Sequence, residues 1–281
     1  MREIDVRIIA AFAKQELGKL AFEYPKDIAK SLKEAYLSER DAGAKDILGV
    51  LIENEGIACS RSIPLCQDTG MVVFFLKLGQ DVHLVHGDIK DVLDQAVKDS
   101  YQEKYLRKSV VGDPLFERKN TLDNAPSVLH VELVPGESVE LEIMTKGFGS
   151  ENMSRVVMLT PADGIEGVKK AILETVRIAA PNACLPMILG IGIGGTMEKA
   201  ALMAKHACLR TIGESHPEER YADLEKELFE TINRSGYGPQ GLGGDTTCLN
   251  VAIETYPTHI AGLPLAINVG CHVSRHSKGV F

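Results

Sequence analysis

Apolar residues recur at helical spacing through the first 55 positions. Val6, Ile9, Ala10 and Phe12 form one run, Ile28, Leu32 and Tyr36 a second, and Ile47, Val50 and Leu51 a third, which predicts a helix-rich N-terminal region over about residues 1–60. The pattern changes at residue 63. IPLCQDTG is a loop carrying Pro64 and Gly70, and MVVFFLKLG after it is a short apolar run of strand type. DIKDVLDQAVKDSYQEKYLRKS patterns as an amphipathic helix, whereas VVGDPLFERKNTLDNAPS is polar, turn-rich and too long for a casual connection. VLHVELVPGESVELEIMTKG predicts two strands around a Pro-Gly turn. A small-residue loop, GFGSENMS, leads into RVVML; GIEGVKKAILETVRIAA predicts a helix, PNACLP a loop and MILGIGIGG a strand. TMEKAALMAKHACLRTIG and PEERYADLEKELFETINRSG predict two more helices, and the remainder alternates glycine-rich loops with two short apolar strands. There is no internal repeat and no low-complexity linker. The fold class is therefore α/β (mixed α+β), with mixed sheets flanked by helices over about 61–281, expected as a single domain spanning 1–281.

Composition narrows the class without naming a function. Hydrophobic residues at 44% and charged residues at 25% are ordinary for a globular chain, so bulk disorder is excluded. A net charge of −8 argues against a nucleic-acid or membrane-surface binder, although a few local cations can still hold an anionic substrate. MREIDVRIIAAFAKQELGKL is charged throughout and is not read as a signal peptide, and no stretch is apolar enough to span a bilayer, so a cytoplasmic protein is expected.

Six cysteines, at 59, 66, 184, 208, 248 and 271, include no CxxC pair, which argues against a zinc ribbon or a ferredoxin-like cluster. Cys66, Cys184 and Cys271 share a setting, each in a loop beside an apolar strand and flanked by Pro, Gly or Asn. Cys208 falls in a helix with an alanine-rich face, where packing is the simpler reading; packing is also expected for Cys59 and Cys248. Three thiolates suit a [4Fe–4S] cluster used as a Lewis acid, because they leave one iron open. Asp68 stands two residues after Cys66, and His259, His272, Arg275 and His276 lie near Cys271.

A rival reading comes from Gly190, Gly192 and Gly195, a GxGxxG between a strand and a helix that would bind a dinucleotide. The acidic residue expected at the end of a second strand is missing: Glu214 falls in a loop between helices. The glycines are better read as close packing or an anion-facing turn.

CQDTG, KGFGSEN, PNACLP, GIGIGGT, GPQGLGG and PTHIAGLP…CHVSRH follow one another in a consistent order from about residue 40 to the C-terminus. Together they resemble the class I (iron–sulfur) fumarate hydratase and L-tartrate dehydratase family in its two-subunit form, at the alpha subunit. The resemblance implies a hydro-lyase with a [4Fe–4S] cluster on Cys66, Cys184 and Cys271, one iron being open. It implies substrate contacts from Gln67, Asp68, Arg107, Gly149 and His259, with Asp68 and His259 in catalytic roles. A fumarase-type beta subunit is implied as partner, completing the site in an oligomer. Leu185, where the family usually repeats Pro, and Cys248, where an aliphatic residue is common, are departures that remove no matched ligand.

GIGIGGT and YPTHIAGLP look more like the fumarase branch, so the expected reaction is reversible hydration of fumarate to (S)-malate, a step of the tricarboxylic acid cycle. L-tartrate dehydratase or mesaconate hydratase is the alternative. A nicotinamide oxidoreductase and a non-catalytic scaffold are the remaining readings, the last disfavoured by the joint presence of Gln67, Asp68, Arg107, His259 and the three cysteines.

Overall fold

Three helices emerge from the apolar spacing of the N-terminal region in the computed structural model of the chain, which describes residues 2–281. They are α1 (Val6–Phe22), α2 (Lys26–Ser38) and α3 (Ala42–Arg61). Asp5 caps α1, its side chain accepting from the Arg7 N–H at 2.9 Å, which satisfies one of the donors a helix start leaves free. Helices and mixed sheets then alternate to the C-terminus, so the fold is α/β of the mixed kind. The chain divides into two compact units.

The first unit comprises the chain up to Pro25, Glu55–Phe148 and Arg275–Phe281. Its strands are β1 (Arg2–Asp5), β2 (Met71–Gly79), β3 (Val82–Val85), β4 (Val128–Val134), β5 (Val139–Lys146) and β10 (His276–Val280), and α4 (Ile89–Glu103) joins α1 on its sheet. The four-stranded sheet has the order β10-β5-β2-β4, while β1 pairs with β3. Val72, Phe74 and Leu76 of β2, on one face by the two-residue period of a strand, meet Leu141 and Ile143 of β5, Ile9 and Leu17 of α1, and Leu93 and Val97 of α4. The two strands around the Pro-Gly turn form, but they do not pair with each other. The central strand β2 lies between them, parallel to β4 and antiparallel to β5. The turn therefore steps across the end of β2, with Gln80 N–H donating to Val134 O at 2.9 Å and Asp81 N–H to Gly136 O at 3.0 Å. A strand as apolar as MVVFFLKLG takes the position with neighbours on both sides.

The second unit comprises Lys26–Asn54 and Gly149–Ser274, the latter starting within the short helix α5 (Phe148–Glu151). Its sheet has the order β6-β9-β7-β8, from β6 (Arg155–Leu159), β7 (Met187–Gly194), β8 (Cys248–Tyr256) and β9 (Leu263–Gly270). Strand β7 runs parallel to β8 and antiparallel to β9, and every residue of it is buried. Its odd positions, Met187, Leu189, Ile191 and Ile193, pack under α6 (Gly164–Ala179) and α8 (Glu219–Asn233). Its even positions include Gly190 and Gly192, which lie against α7 (Met197–Ala207). A Cβ on Gly190 would stand 2.0 Å from Ala204 O, and one on Gly192 2.1 Å from Ala200 O. Helix-on-strand contact thus accounts for Gly190 and Gly192, the first two glycines of the GxGxxG spacing, while Gly195 takes a left-handed backbone (φ 68°). No helix among the described residues is long and apolar enough to cross a membrane.

Candidate active site

The CQDTG loop joins α3 to β2 within the first unit and is held from several sides. Tyr101 of α4 donates to the carbonyls of Thr69 at 2.8 Å and Gly70 at 3.0 Å, and Asn124 Nδ2 donates to Gly70 O at 3.1 Å. Burial pushes the Tyr101 hydroxyl up to about 12, with Arg275 pulling weakly the other way, so it stays a donor at any working pH. Asp68 organises the loop's interior. Its Oδ1 accepts from the Gly70 N–H at 3.0 Å, an Asx turn, and its Oδ2 from the Phe148 N–H at 2.8 Å. The half-buried Cys66 turns its sulfur back onto this loop, where Sγ accepts from the Asp68 N–H at 3.4 Å. Gln67 between them is exposed and makes no side-chain hydrogen bond among the described residues.

Arg107 reaches the same loop through its main chain, its carbonyl accepting from Thr69 Oγ1 at 2.6 Å. Its guanidinium is exposed and unpaired among the described residues. The polar stretch after it carries no helix or paired strand beyond an isolated bridge between Val111 and Asn120. Asn124, at its far end, accepts from the Ser109 N–H at 2.8 Å while bonding Gly70, so the excursion leaves and returns at the CQDTG loop. The first unit therefore gathers Cys66, Gln67, Asp68 and the backbone of Arg107.

In the second unit the segments carrying Cys184 and Cys271 lie side by side. The His272 N–H donates to Cys184 O at 3.4 Å, joining the PNACLP loop to the residues just past β9. Cys184 has a left-handed backbone (φ 48°) and an exposed side chain; Cys271 is half-buried. His272 is buried, which pushes its imidazole down to about 4, so it is neutral near pH 7. Sequence reasoning missed the support behind Cys184. Gln240, in the GPQGLGG loop, donates to Leu185 O through both its main-chain N–H at 3.1 Å and its Nε2 at 2.6 Å. That loop is anchored by buried Glu39, which accepts from the N–H groups of Asp245 and Thr246 and from the Thr246 hydroxyl. The glycine-rich motif was visible, but nothing in the sequence paired it with position 39.

Gly149, in the short helix α5, and His259, in a loop, are both exposed and share no hydrogen bond with the cysteine segments. A methyl group on Gly149 would meet nothing within 4 Å, so the space beside its backbone is open. His259 Nδ1 accepts from the Ala261 N–H at 3.2 Å, which assigns the proton of the neutral ring to Nε2, facing away from the turn.

The other cysteines separate cleanly. Cys208 is buried against Ala204 and Asn268, as packing requires. Cys248 is buried, which pushes its thiol up to about 12 and keeps it protonated, unlike a ligand thiolate. Cys59 corrects the packing expectation, since it is exposed on α3. Among the described residues no three or more His, Cys, Asp or Glu side chains converge as on a single metal ion. The cysteines of a cubane cluster each bind a different iron and need not converge in that way.

The class of enzyme to which such a chain corresponds, the hydro-lyases, comes from its likeness to known proteins. The chain belongs to the family described as Fumarate hydratase (Fumerase), whose sequence model matches residues 11–280. It is similar to a protein of Methanocaldococcus jannaschii provisionally named L(+)-tartrate dehydratase subunit alpha, with 42% identity over 92% of each chain. It is also similar to the L(+)-tartrate dehydratase subunit alpha of Escherichia coli strain UTI89, with 35% identity over 89% of this chain and 83% of the relative, and to that of strain K12, at 34% over the same shares.

Proposed function

We propose that this chain is the alpha subunit of an iron–sulfur hydro-lyase that dehydrates L(+)-tartrate, with a beta subunit completing the active site. The relatives' names favour tartrate over the fumarate expected from GIGIGGT and YPTHIAGLP. The observation that carries the reading is the hydrogen bond from His272 N–H to Cys184 O, which sets two of the three expected ligand segments side by side.

The residues fit a thiolate-bound cluster. Cys66 Sγ already accepts a backbone N–H, the kind of hydrogen bond that stabilises a charged sulfur ligand. Cys184 is exposed, Cys271 is half-buried, and neither is in a disulfide. Cys66, Cys184 and Cys271 would hold the cluster. When bound, it supplies a Lewis acid that polarises the substrate's hydroxyl.

The chain's own residues have simpler tasks. The exposed guanidinium of Arg107 grips a carboxylate through two parallel hydrogen bonds, and Gln67 beside Cys66 offers an amide for a second contact. Gly149 presents open backbone, and His259 Nε2–H is a donor to an oxygen that gains charge. Hydroxide leaves one carbon and a proton leaves its neighbour, the two together making one water, and the enol of a 2-oxo acid remains. Asp68 has both oxygens engaged by backbone N–H groups. That supports a role in orienting Cys66 and Gln67, with the proton passing to a base on the beta subunit.

The test is anaerobic co-expression with the beta subunit, followed by iron and sulfide analysis and assays on L-tartrate, malate, fumarate and mesaconate. Turnover of tartrate is expected to exceed the others. Cys66→Ser, Cys184→Ser and Cys271→Ser are each expected to lose most of the iron. Turnover of malate and fumarate with tartrate inert would overturn the substrate assignment and restore the fumarase reading, to which the family description also points. Full iron content in all three serine variants would overturn the ligand set.

A further inference from the structure

Arg275, in the CHVSRH segment, is left without a task by the reading above, yet its setting is unusual. Its residue is only 2% exposed. One nitrogen, Nη2, donates to the main-chain carbonyl of Asp68 at 2.9 Å, and the buried Nε has no hydrogen-bond partner. Among the described residues it forms no ion pair. Asp68, whose carbonyl it holds, keeps its carboxylate oxygens on the Gly70 and Phe148 N–H groups, so that charge lies across Gly147 from Nη2 without pairing directly with it. A guanidinium cannot shed its proton, so burying it without an opposite charge is costly. Elsewhere the same fold avoids that cost. Arg210, also largely buried, shares the unpartnered Nε but is paired directly with the buried carboxylate of Glu225.

We propose that Arg275 is the buried countercharge of an anion bound beside the Cys66–Gly70 loop. The thiolate-bound cluster and the substrate carboxylate share the chemistry this needs, a compact anion accepting from a guanidinium. The hydrogen bond of Cys66 Sγ to the Asp68 N–H brings a thiolate to the residue whose carbonyl Arg275 holds, so the cluster is the anion the geometry favours. The inference rests on the proposed function for the identity of the anion. The lack of a direct ion partner and the unpartnered Nε are properties of Arg275 itself.

The experiment uses the full chain as wild type, Arg275→Gln, which keeps hydrogen-bond donors without charge, and Arg275→Lys, which keeps charge. Each is prepared iron-free, and again after anaerobic loading with ferrous iron and sulfide. Thermal midpoints are measured for both forms, and each is titrated with L-tartrate. The increment in midpoint on loading is expected to shrink in Arg275→Gln and to be largely retained in Arg275→Lys. The affinity for the bound anion should fall roughly 10- to 100-fold in the Gln variant, the usual loss for a charge-assisted hydrogen bond. A loss seen only in tartrate binding would identify the carboxylate as the anion and keep the countercharge role. Equal lowering of the iron-free and loaded midpoints with unchanged tartrate affinity, or equal losses in the Gln and Lys variants, would overturn the proposal. Failure of wild type to take up iron and sulfide would instead overturn the cluster reading, and the tartrate titration alone would then decide the role of Arg275.

Discussion

Asp94 of α4 joins its helix to the start of β4, since its Oδ1 accepts from the Ser127 N–H at 2.8 Å and the Ser127 hydroxyl at 2.6 Å, with Lys90 paired one turn back. Burial alone pushes its carboxyl up, but Lys90 and the two Ser127 donors outweigh that and hold it below the usual carboxylate range. A carboxyl depressed in the folded state contributes stability above its unfolded value, near 4, and loses it as the pH falls through the folded value. Asp94→Asn is therefore expected to cost about 1 kcal/mol at pH 7. Urea titrations of the two proteins should converge at low pH; a difference that persists there would show that the contribution is not one of charge. Residues such as this were not legible beforehand, because their partners are distant in sequence. Asp68 was half legible. CQDTG marked it as important, but only the structure shows that both its oxygens are engaged by backbone N–H groups.

At the scale of elements, the contact of β7 with α7 depends on two hydrogen atoms in place of side chains. Gly190→Ala or Gly192→Ala would drive a methyl group into helix backbone, and each is expected to destabilise the chain by about 2–4 kcal/mol or to prevent folding. Gly149→Ala, with nothing within 4 Å, should leave the unfolding free energy from urea titration within about 0.5 kcal/mol of wild type. A mild effect at Gly190 would show that α7 can move off the sheet. The elements themselves were largely legible, because their apolar periods are strong: β2 occupies the MVVFFLKLG run, and α6 and α8 fall within their predicted spans. Pairing was not. Nothing in VPGE reveals that β2 is inserted between the two strands it connects, and β1 and β10 are too short and polar to stand out.

At the scale of the molecule, the residues expected to act together are drawn from stretches far apart in the sequence. Gln67 and Asp68 flank one cysteine in sequence, and the family pattern carried the rest. The supports, Glu39 with the glycine-rich loop and Arg275 with the Asp68 carbonyl, appear only once the chain is folded. The beta subunit assignment is tested here as well. Activity of the loaded chain alone is expected to be roughly a hundredfold or more below that of the mixed subunits, since a missing catalytic group forfeits positioning. Titrating purified beta subunit into a fixed amount of this chain should restore turnover to a plateau, and a full rate without it would overturn the assignment.

The strand order of the first unit also bears on the order in which the protein is made. Strand β10, residues His276–Val280, covers the outer side of β5, yet the larger stretch of the second unit, Gly149–Ser274, is translated between the two. Through that interval β5 has its β2 neighbour but lacks its other one. An exposed strand edge on a growing chain is where pairing with a neighbouring nascent chain begins. Completion of the sheet thus waits for residues 276–280 to leave the ribosome, and a product stalled or truncated before them would carry an adhesive β5 edge that β10 otherwise covers.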